Sequence, residues 1–180
     1  MLIVVTGGSG SGKSEYAENI AVSFGKEPLI YIATMLPFGE ESKEKIQRHR
    51  QMREKKRFQT LECFTNLSEI TFKKKPIVLL ECMSNLLANE MFLETGAKES
   101  SVEQILAGVM HLIQQAEHVI IVTNEISSDG LSYDEESLRY MKFLGIINAR
   151  LADIADQVIE VVYSIPVFHK GIDGKVGEMK

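Results

Sequence analysis

Apolar and polar positions form two different patterns along this chain. Short runs rich in leucine and β-branched residues predict buried strands, and they cover Leu2–Thr6, Leu29–Thr34, Ile77–Cys82, Val119–Thr123 and Val158–Tyr163. Apolar side chains at three- and four-residue spacing predict helices over Val102–Glu117 and from about Glu135 to Ala155. Because helix-like segments separate the strands, the pattern predicts an α/β fold with a mostly parallel sheet covered by helices. We expect a loosely structured tail from Ile165 to Lys180.

A glycine-rich segment follows the first predicted strand and precedes a helix-like stretch. It reads Gly7-Gly8-Ser9-Gly10-Ser11-Gly12-Lys13-Ser14, which fits the Walker A pattern in its usual structural context. Successive backbone N–H groups in such a turn wrap a polyphosphate, and the helix N-terminus behind them adds partial positive charge. Lys13 is expected to reach the β- and γ-phosphates, and Ser14 to hold Mg²⁺. The segment therefore predicts that the chain binds a nucleoside triphosphate.

Polar residues follow three of the predicted strands, at the edge where ligands bind in open α/β sheets. They are Thr34-Met35-Leu36, Glu81-Cys82 and Thr123-Asn124-Glu125. Glu81 has the form of a Walker B acid, which holds Mg²⁺ directly or through water or orients a nucleophile. A solvated glutamate at a strand end is the alternative interpretation. The sequence indicates a functional role less strongly for Asn124 and Glu125 than for Glu81.

Composition narrows the class of protein. The 180 residues suit a single domain spanning 1–180, and a net charge of -5 with 25% charged residues argues against a general nucleic-acid binder. No apolar run approaches the roughly 20 residues of a membrane span, so we expect a cytoplasmic protein. Cys63 and Cys82 lack the spacing of a metal site and are expected to be reduced, buried thiols.

Positive charge is concentrated between Lys43 and Arg57, where eight Lys or Arg residues surround His49. On a helix, His49 would share one face with Arg50 and Arg53. Such a face can bind a triphosphate, and a neutral imidazole can attack an α-phosphorus and form a phosphoramidate. A solvated basic helix with an incidental histidine fits the same composition. The residues alone leave both interpretations open.

Short motifs are spread over most of the chain. They are Val5-Thr6-Gly7-Gly8 with Ser11-Gly12-Lys13-Ser14 and Ala17-Glu18, Tyr31-Ile32-Ala33-Thr34, Ile46-Gln47-Arg48-His49-Arg50 with Arg53, Thr60-Leu61-Glu62, Leu79-Leu80-Glu81-Cys82 with Asn89, Val122-Thr123-Asn124-Glu125, and Gly145, Asn148, Leu151-Ala152 and Ala155-Asp156. In order and spacing they resemble the bifunctional adenosylcobinamide kinase and adenosylcobinamide-phosphate guanylyltransferase family of cobalamin biosynthesis.

The resemblance implies a P-loop NTPase with a RecA-like sheet. Such an enzyme phosphorylates the aminopropanol hydroxyl of the corrinoid adenosylcobinamide with GTP or ATP, then transfers GMP to that phosphate through a guanylylated histidine, which is His49 here. Positions that match the nucleotide-binding segments of the family are Thr34, Met35, Leu36, Arg50, Gln51, Met52, Arg53, Glu62 and Glu81. The resemblance also implies a homotrimer.

The sequence departs from the family pattern in two places. Arg53 is followed by Glu54 where the family has proline, and Phe58 takes the place of a tryptophan. The segment from Ile126 to Ser132 replaces a glycine-rich turn, and Tyr140-Met141-Lys142 replaces Phe-Arg-Asp. Two alternatives also stay open: a monofunctional small-molecule kinase with a basic lid, and a nucleotide-dependent regulatory or binding protein.

Overall fold

The computed structural model describes residues 1–26, 28–37, 47, 56–125 and 133–171. Within these ranges the chain forms a seven-stranded sheet in the order β3-β2-β4-β5-β1-β6-β7. All neighbouring strands are parallel except β6 and β7, which form an antiparallel hairpin. The strands are β1 (Leu2–Thr6), β2 (Leu29–Ala33), β3 (Gln59–Glu62), β4 (Ile77–Leu80), β5 (His118–Val122), β6 (Gln157–Val162) and β7 (Ile165–Lys170). The five predicted strands are confirmed, with small shifts at their ends.

Four α-helices in the described ranges cover the two faces of the sheet. They are α1 (Lys13–Ser23), α2 (Met83–Phe92), α3 (Ser101–Gln115) and α4 (Glu135–Ile154). Alternate strand residues point to opposite faces, so Ile3 and Val5 of β1 pack with Ile20 of α1, whereas Val4 joins the core beneath α2, α3 and α4. None of the described helices is both long and apolar enough to cross a membrane.

Strand β1 lies in the interior of the sheet. Val4 pairs with Ile121 of β5 on one side and with Val158 of β6 on the other. Strand β5 separates β1 from β4, the strand that precedes Glu81. The predicted polar residues therefore lie at the carboxyl edge of the sheet, on the β4 side of the glycine-rich loop.

Two strands were not predicted. The expected loose tail is wrong for Ile165–Lys170, which forms β7, while residues 172–180 lie outside the described residues. Phe168 of β7 packs against the core beneath α1, and backbone pairing with β6 orders the strand. All four side chains of β3 are exposed, so the sequence of this strand has no apolar pattern that predicts it. The strand forms through backbone pairing with β2.

Candidate active site

The glycine-rich loop joins β1 to α1, and two of its glycines are required by close contacts. Gly7 and Gly12 have φ values of 148° and 91°. A Cβ atom at Gly7 would lie 2.5 Å from the carbonyl oxygen of Val161, and one at Gly12 would lie 2.7 Å from Ser164 Oγ. Both glycines allow the loop to approach the end of β6 and the turn that follows it.

The other side of the loop is open. A Cβ atom at Gly8 or Gly10 would meet nothing within 4 Å. Lys13, the first residue of α1, donates a hydrogen bond from Nζ to the carbonyl oxygen of Gly8 at 2.9 Å. Ser14 follows it in the first turn of the helix. The loop thus combines a cation, a hydroxyl and a helix N-terminus, which together suit a polyphosphate.

Glu81 follows β4 and holds the segment that follows β2. Its Oε2 accepts hydrogen bonds from the backbone N–H groups of Thr34 at 2.9 Å and Met35 at 3.2 Å. Its Oε1 accepts a hydrogen bond from the hydroxyl of Tyr31 at 3.1 Å. Three donors use three of the roughly four acceptor positions of a carboxylate, so one position on Oε1 is left for a metal ion or water.

The end of β5 is tied to two helices by side-chain hydrogen bonds. Thr123 donates from Oγ1 to Asn148 Oδ1 of α4 at 2.7 Å, and Asn148 donates from Nδ2 to the carbonyl oxygen of Asn124 at 3.1 Å. Asn124 donates from Nδ2 to Ser84 Oγ of α2 at 2.7 Å. Asn124 therefore belongs to a structural network, whereas Glu125 is exposed.

A cavity of about 440 Å³ lies between α4 and the strands that flank the glycine-rich loop. Its wall includes Thr6, the last residue of β1, and Thr123, which follows β5. Glu160 and His169, which are paired at 2.8 Å, line it from β6 and β7. The cavity is adjacent to the place where the loop leaves β1, and its volume lies within the range of small-molecule sites.

Two ionisable side chains near the carboxyl edge are held in their neutral forms. Burial, with the negative charges of Glu90 and Glu69, raises the pKa of the Cys63 thiol to about 11. Burial likewise raises the pKa of Tyr140 to about 12, although its hydroxyl donates to the carbonyl oxygen of Ser84. Neither group is an anionic nucleophile near neutral pH. Cys63 and Cys82 form no disulfide and are half-buried, so the expectation of fully buried thiols is wrong, while their reduced state stays a prediction.

The structure brings only some of the predicted site residues together. Glu81 contacts Thr34 and Met35, and Leu36 is half-buried in the same segment. Glu62 is exposed at the end of β3, opposite Ala33 in the sheet register. The predicted nucleophile and the residues that follow it lie outside the described residues: His49, Arg50, Gln51, Met52 and Arg53. Among the described residues, no cluster of three or more His, Cys, Asp or Glu side chains could hold a metal ion.

Sequence reasoning missed two parts of the site. Tyr31 carries no predicted role, although it lies in the middle of β2, opposite Leu79 of the strand that precedes Glu81, and its hydroxyl reaches the carboxylate. The turn formed by Tyr163 and Ser164 touches the glycine-rich loop, and the segment containing it carries no hairpin motif.

The sheet order and the glycine-rich loop define a P-loop NTPase of the RecA-like class. In agreement with that class, the fold is similar to an ATPase from the type III secretion system of pathogenic bacteria, with a TM-score of 0.54 and 12% identity, covering 98% of this chain and 61% of that chain. Residues 3–168 match the family described as cobinamide kinase / cobinamide phosphate guanyltransferase, and the chain belongs to that family.

Two curated relatives agree with this assignment. The bifunctional adenosylcobalamin biosynthesis protein CobU of Escherichia coli (strain K12) is 31% identical over 181 residues, covering 93% of this chain and 98% of the relative. The protein of the same name from Salmonella typhimurium (strain LT2) is 31% identical over 182 residues, with the same coverage. The chain is therefore a transferase that acts as a kinase and a guanylyltransferase on cobinamide.

Proposed function

We propose that the chain phosphorylates the hydroxyl group of adenosylcobinamide with GTP or ATP and then transfers GMP from GTP to the new phosphate through His49. The product is adenosylcobinamide-GDP. The proposal depends on the open phosphate loop, in which Lys13 donates a hydrogen bond to the carbonyl oxygen of Gly8 and Ser14 follows in the first turn of α1. The chain also matches the family over residues 3–168. The names of the two relatives support the same pathway.

In the kinase step, the loop positions the triphosphate and stabilises the charge of the transferring group. Lys13 and the backbone N–H groups of the loop contact the β- and γ-phosphates, so that the γ-phosphoryl faces the acceptor hydroxyl. Mg²⁺ fits the donors present because it usually takes one or two protein oxygens together with phosphates and water. Ser14 would hold it, with Glu81 as a direct or water-mediated partner, and it would neutralise phosphate charge.

The cavity beneath α4 is our candidate site for the phosphoryl acceptor. It begins beside Thr6, the residue before the phosphate loop, so a hydroxyl that entered it would approach the loop from the β1 strand end. A volume of about 440 Å³ suits the aminopropanol arm of a corrinoid rather than its whole ring system. Glu160 and Asn148 would offer polar contacts to that arm.

In the guanylyl transfer step, a ring nitrogen of neutral His49 attacks the α-phosphorus of GTP. The N–P bond forms as the bond from that phosphorus to the bridging oxygen breaks, and pyrophosphate leaves. A phosphate oxygen of phosphorylated adenosylcobinamide then attacks the same phosphorus, and the N–P electron pair returns to the imidazole. Arg50 and Arg53 would neutralise the departing pyrophosphate.

A labelling experiment tests this proposal. Protein incubated with Mg²⁺ and α-labelled GTP should retain acid-labile, base-stable label after denaturation, and His49→Ala should abolish it while some kinase activity remains. The control is His111→Gln, because His111 bonds the carbonyl oxygen of Ile70 away from the loop, and this variant should keep the label. Label that persists in His49→Ala would remove this residue from the mechanism.

The same assay separates the alternatives. Phosphorylated cobinamide without any protein-bound label would indicate a monofunctional kinase. Nucleotide binding without turnover of a corrinoid would indicate a regulatory protein. We also propose a homotrimer acting in the cytoplasm, as the family resemblance implies, and light scattering after gel filtration would measure the oligomeric state.

A further inference from the structure

The turn between β6 and β7 lies against the phosphate loop. The backbone N–H of Ser164 donates a hydrogen bond to the carbonyl oxygen of Ser11 at 2.8 Å. A Cβ atom at Gly12 would lie 3.4 Å from the Cα of Ser164, so the loop approaches the turn too closely for a larger residue to fit freely there. Tyr163, the other central residue of the turn, is therefore next to the loop that binds the phosphates.

The conformation of this turn is unfavourable for the residues that occupy it. Tyr163 and Ser164 have φ values of 50° and 64° and form a two-residue hairpin loop. A loop with positive φ at both positions strongly favours Asn-Gly or another glycine-containing pair. Strained backbone at side-chain-bearing residues occurs preferentially at functional sites. Local propensity thus does not account for these two residues.

Packing does not account for Tyr163 either. Its side chain is 90% exposed, the most exposed of the large hydrophobic side chains in the described part of the chain. An exposed aromatic ring on a turn that contacts the phosphate loop is available to a ligand. The large flat face of a tyrosine is suited to stacking on a nucleobase.

The position of Glu81, the candidate partner of the metal ion, is the basis for the direction assigned to the nucleotide. On the β4 side, Glu81 and the segment after β2 carry the polar groups expected near the metal ion and the transferring phosphoryl group. The β6–β7 side carries the turn with the exposed ring, together with the Glu160–His169 pair that lines the cavity beneath α4. If the γ-phosphate faces Glu81, the ribose and base extend toward Tyr163.

We propose that Tyr163 is a stacking platform for the base of the nucleotide held by the phosphate loop. Every base offers a π face, so stacking tolerates both guanine and adenine. The platform would thus serve a kinase step that uses GTP or ATP. This inference rests on the proposed nucleotide binding by the loop.

The test compares ligands with and without a base. Binding of non-hydrolysable ATP and GTP analogues and of inorganic tripolyphosphate is measured by calorimetry for the wild type, Tyr163→Ala and Tyr163→Phe. Tyr163→Ala should weaken both nucleotides by roughly tenfold, the size of one lost stacking contact, and leave tripolyphosphate within about twofold. Tyr163→Phe keeps the ring and should bind all three ligands like the wild type.

Three results would overturn the inference. The first is unchanged nucleotide affinity in Tyr163→Ala. The second is an equal loss of affinity for tripolyphosphate, which would mean that Tyr163 only shapes the loop. The third is a loss of affinity for only one of the two nucleotides. Wild-type protein that binds none of the three ligands would instead contradict the proposed function. An unfolding curve of Tyr163→Ala serves as the folding control, and no loss is expected because the ring is exposed.

Discussion

The two flanks of the phosphate loop are held by different kinds of interaction. On the β4 flank, side chains make the contacts, with Glu81 accepting three hydrogen bonds and Asn124 linking β5 to α2. On the β6–β7 flank, the backbone makes them, through the N–H of Ser164 and the close approach of Gly7 to Val161. The β4 flank therefore requires particular functional groups on its side chains, whereas the β6–β7 flank requires glycine, because a side chain there would clash.

This difference means that the flanks respond to different substitutions. A change of functional group should damage the β4 flank and leave its backbone in place. Adding a single methyl group should damage the β6–β7 flank, because the neighbouring atom at Gly7 is a backbone carbonyl that cannot rotate away. Three experiments would break or sharpen the comparison, and the largest effect is expected at this glycine.

Gly7→Ala should lower the free energy of unfolding by roughly 2–4 kcal/mol, because it combines an unfavourable φ with a contact of 2.5 Å to the carbonyl oxygen of Val161. Urea denaturation measures the change. Gly8→Ala in the same loop is the control, since its Cβ atom would meet nothing within 4 Å, and it should change stability by less than about 0.5 kcal/mol. Equal effects of the two substitutions would contradict a steric requirement on this flank.

Glu81→Ala should lower the free energy of unfolding by about 1–3 kcal/mol, because the N–H groups of Thr34 and Met35 lose their acceptor. Thermal unfolding gives the magnitude. Tyr31→Phe removes one donor and leaves the two backbone bonds, so a smaller loss of about 1 kcal/mol is expected. If Tyr31→Phe cost as much as Glu81→Ala, the backbone bonds would not be the main contribution of the carboxylate.

The double substitution Tyr163→Asn with Ser164→Gly should raise the free energy of unfolding by about 1 kcal/mol, because this pair favours the positive φ values of the turn. Chemical denaturation checks the sign. Ser164→Gly alone should give part of the gain, as the N–H that bonds Ser11 is retained. A loss of stability in the double variant would mean that the native side chains stabilise the turn.

Prediction from sequence succeeded where side chains carry the signal. The apolar run Ile77–Leu80 marked β4 and identified Glu81 as the residue at its end. The spacing of glycines, Lys13 and Ser14 marked the phosphate loop, and the loop lies between β1 and α1 as expected. Both signals are local, since a few consecutive residues determine the structure and the chemistry together.

The parts of the fold and site that the sequence did not predict are formed by backbone groups and by partners distant in the chain. The bond between Ser164 and Ser11 uses an N–H and a carbonyl that nearly every residue possesses, so no residue type predicts it. Tyr163 and Ser164 are not typical of a tight hairpin, which explains why β7 was missed. Strand β3 has only exposed side chains, and its order comes from pairing with β2. His49 lies outside the described ranges, so its role as the nucleophile stays a prediction from the family resemblance.

The pairing of β1 has a consequence for the synthesis of the protein. The phosphate loop leaves the ribosome well before its structural partners, because β1 pairs with β5 and β6, and the loop contacts Val161 and Ser164. These partners are made after more than a hundred residues of intervening chain, at roughly 5–20 residues per second. The nascent chain therefore carries its phosphate-binding sequence for several seconds before the loop can close on its final neighbours.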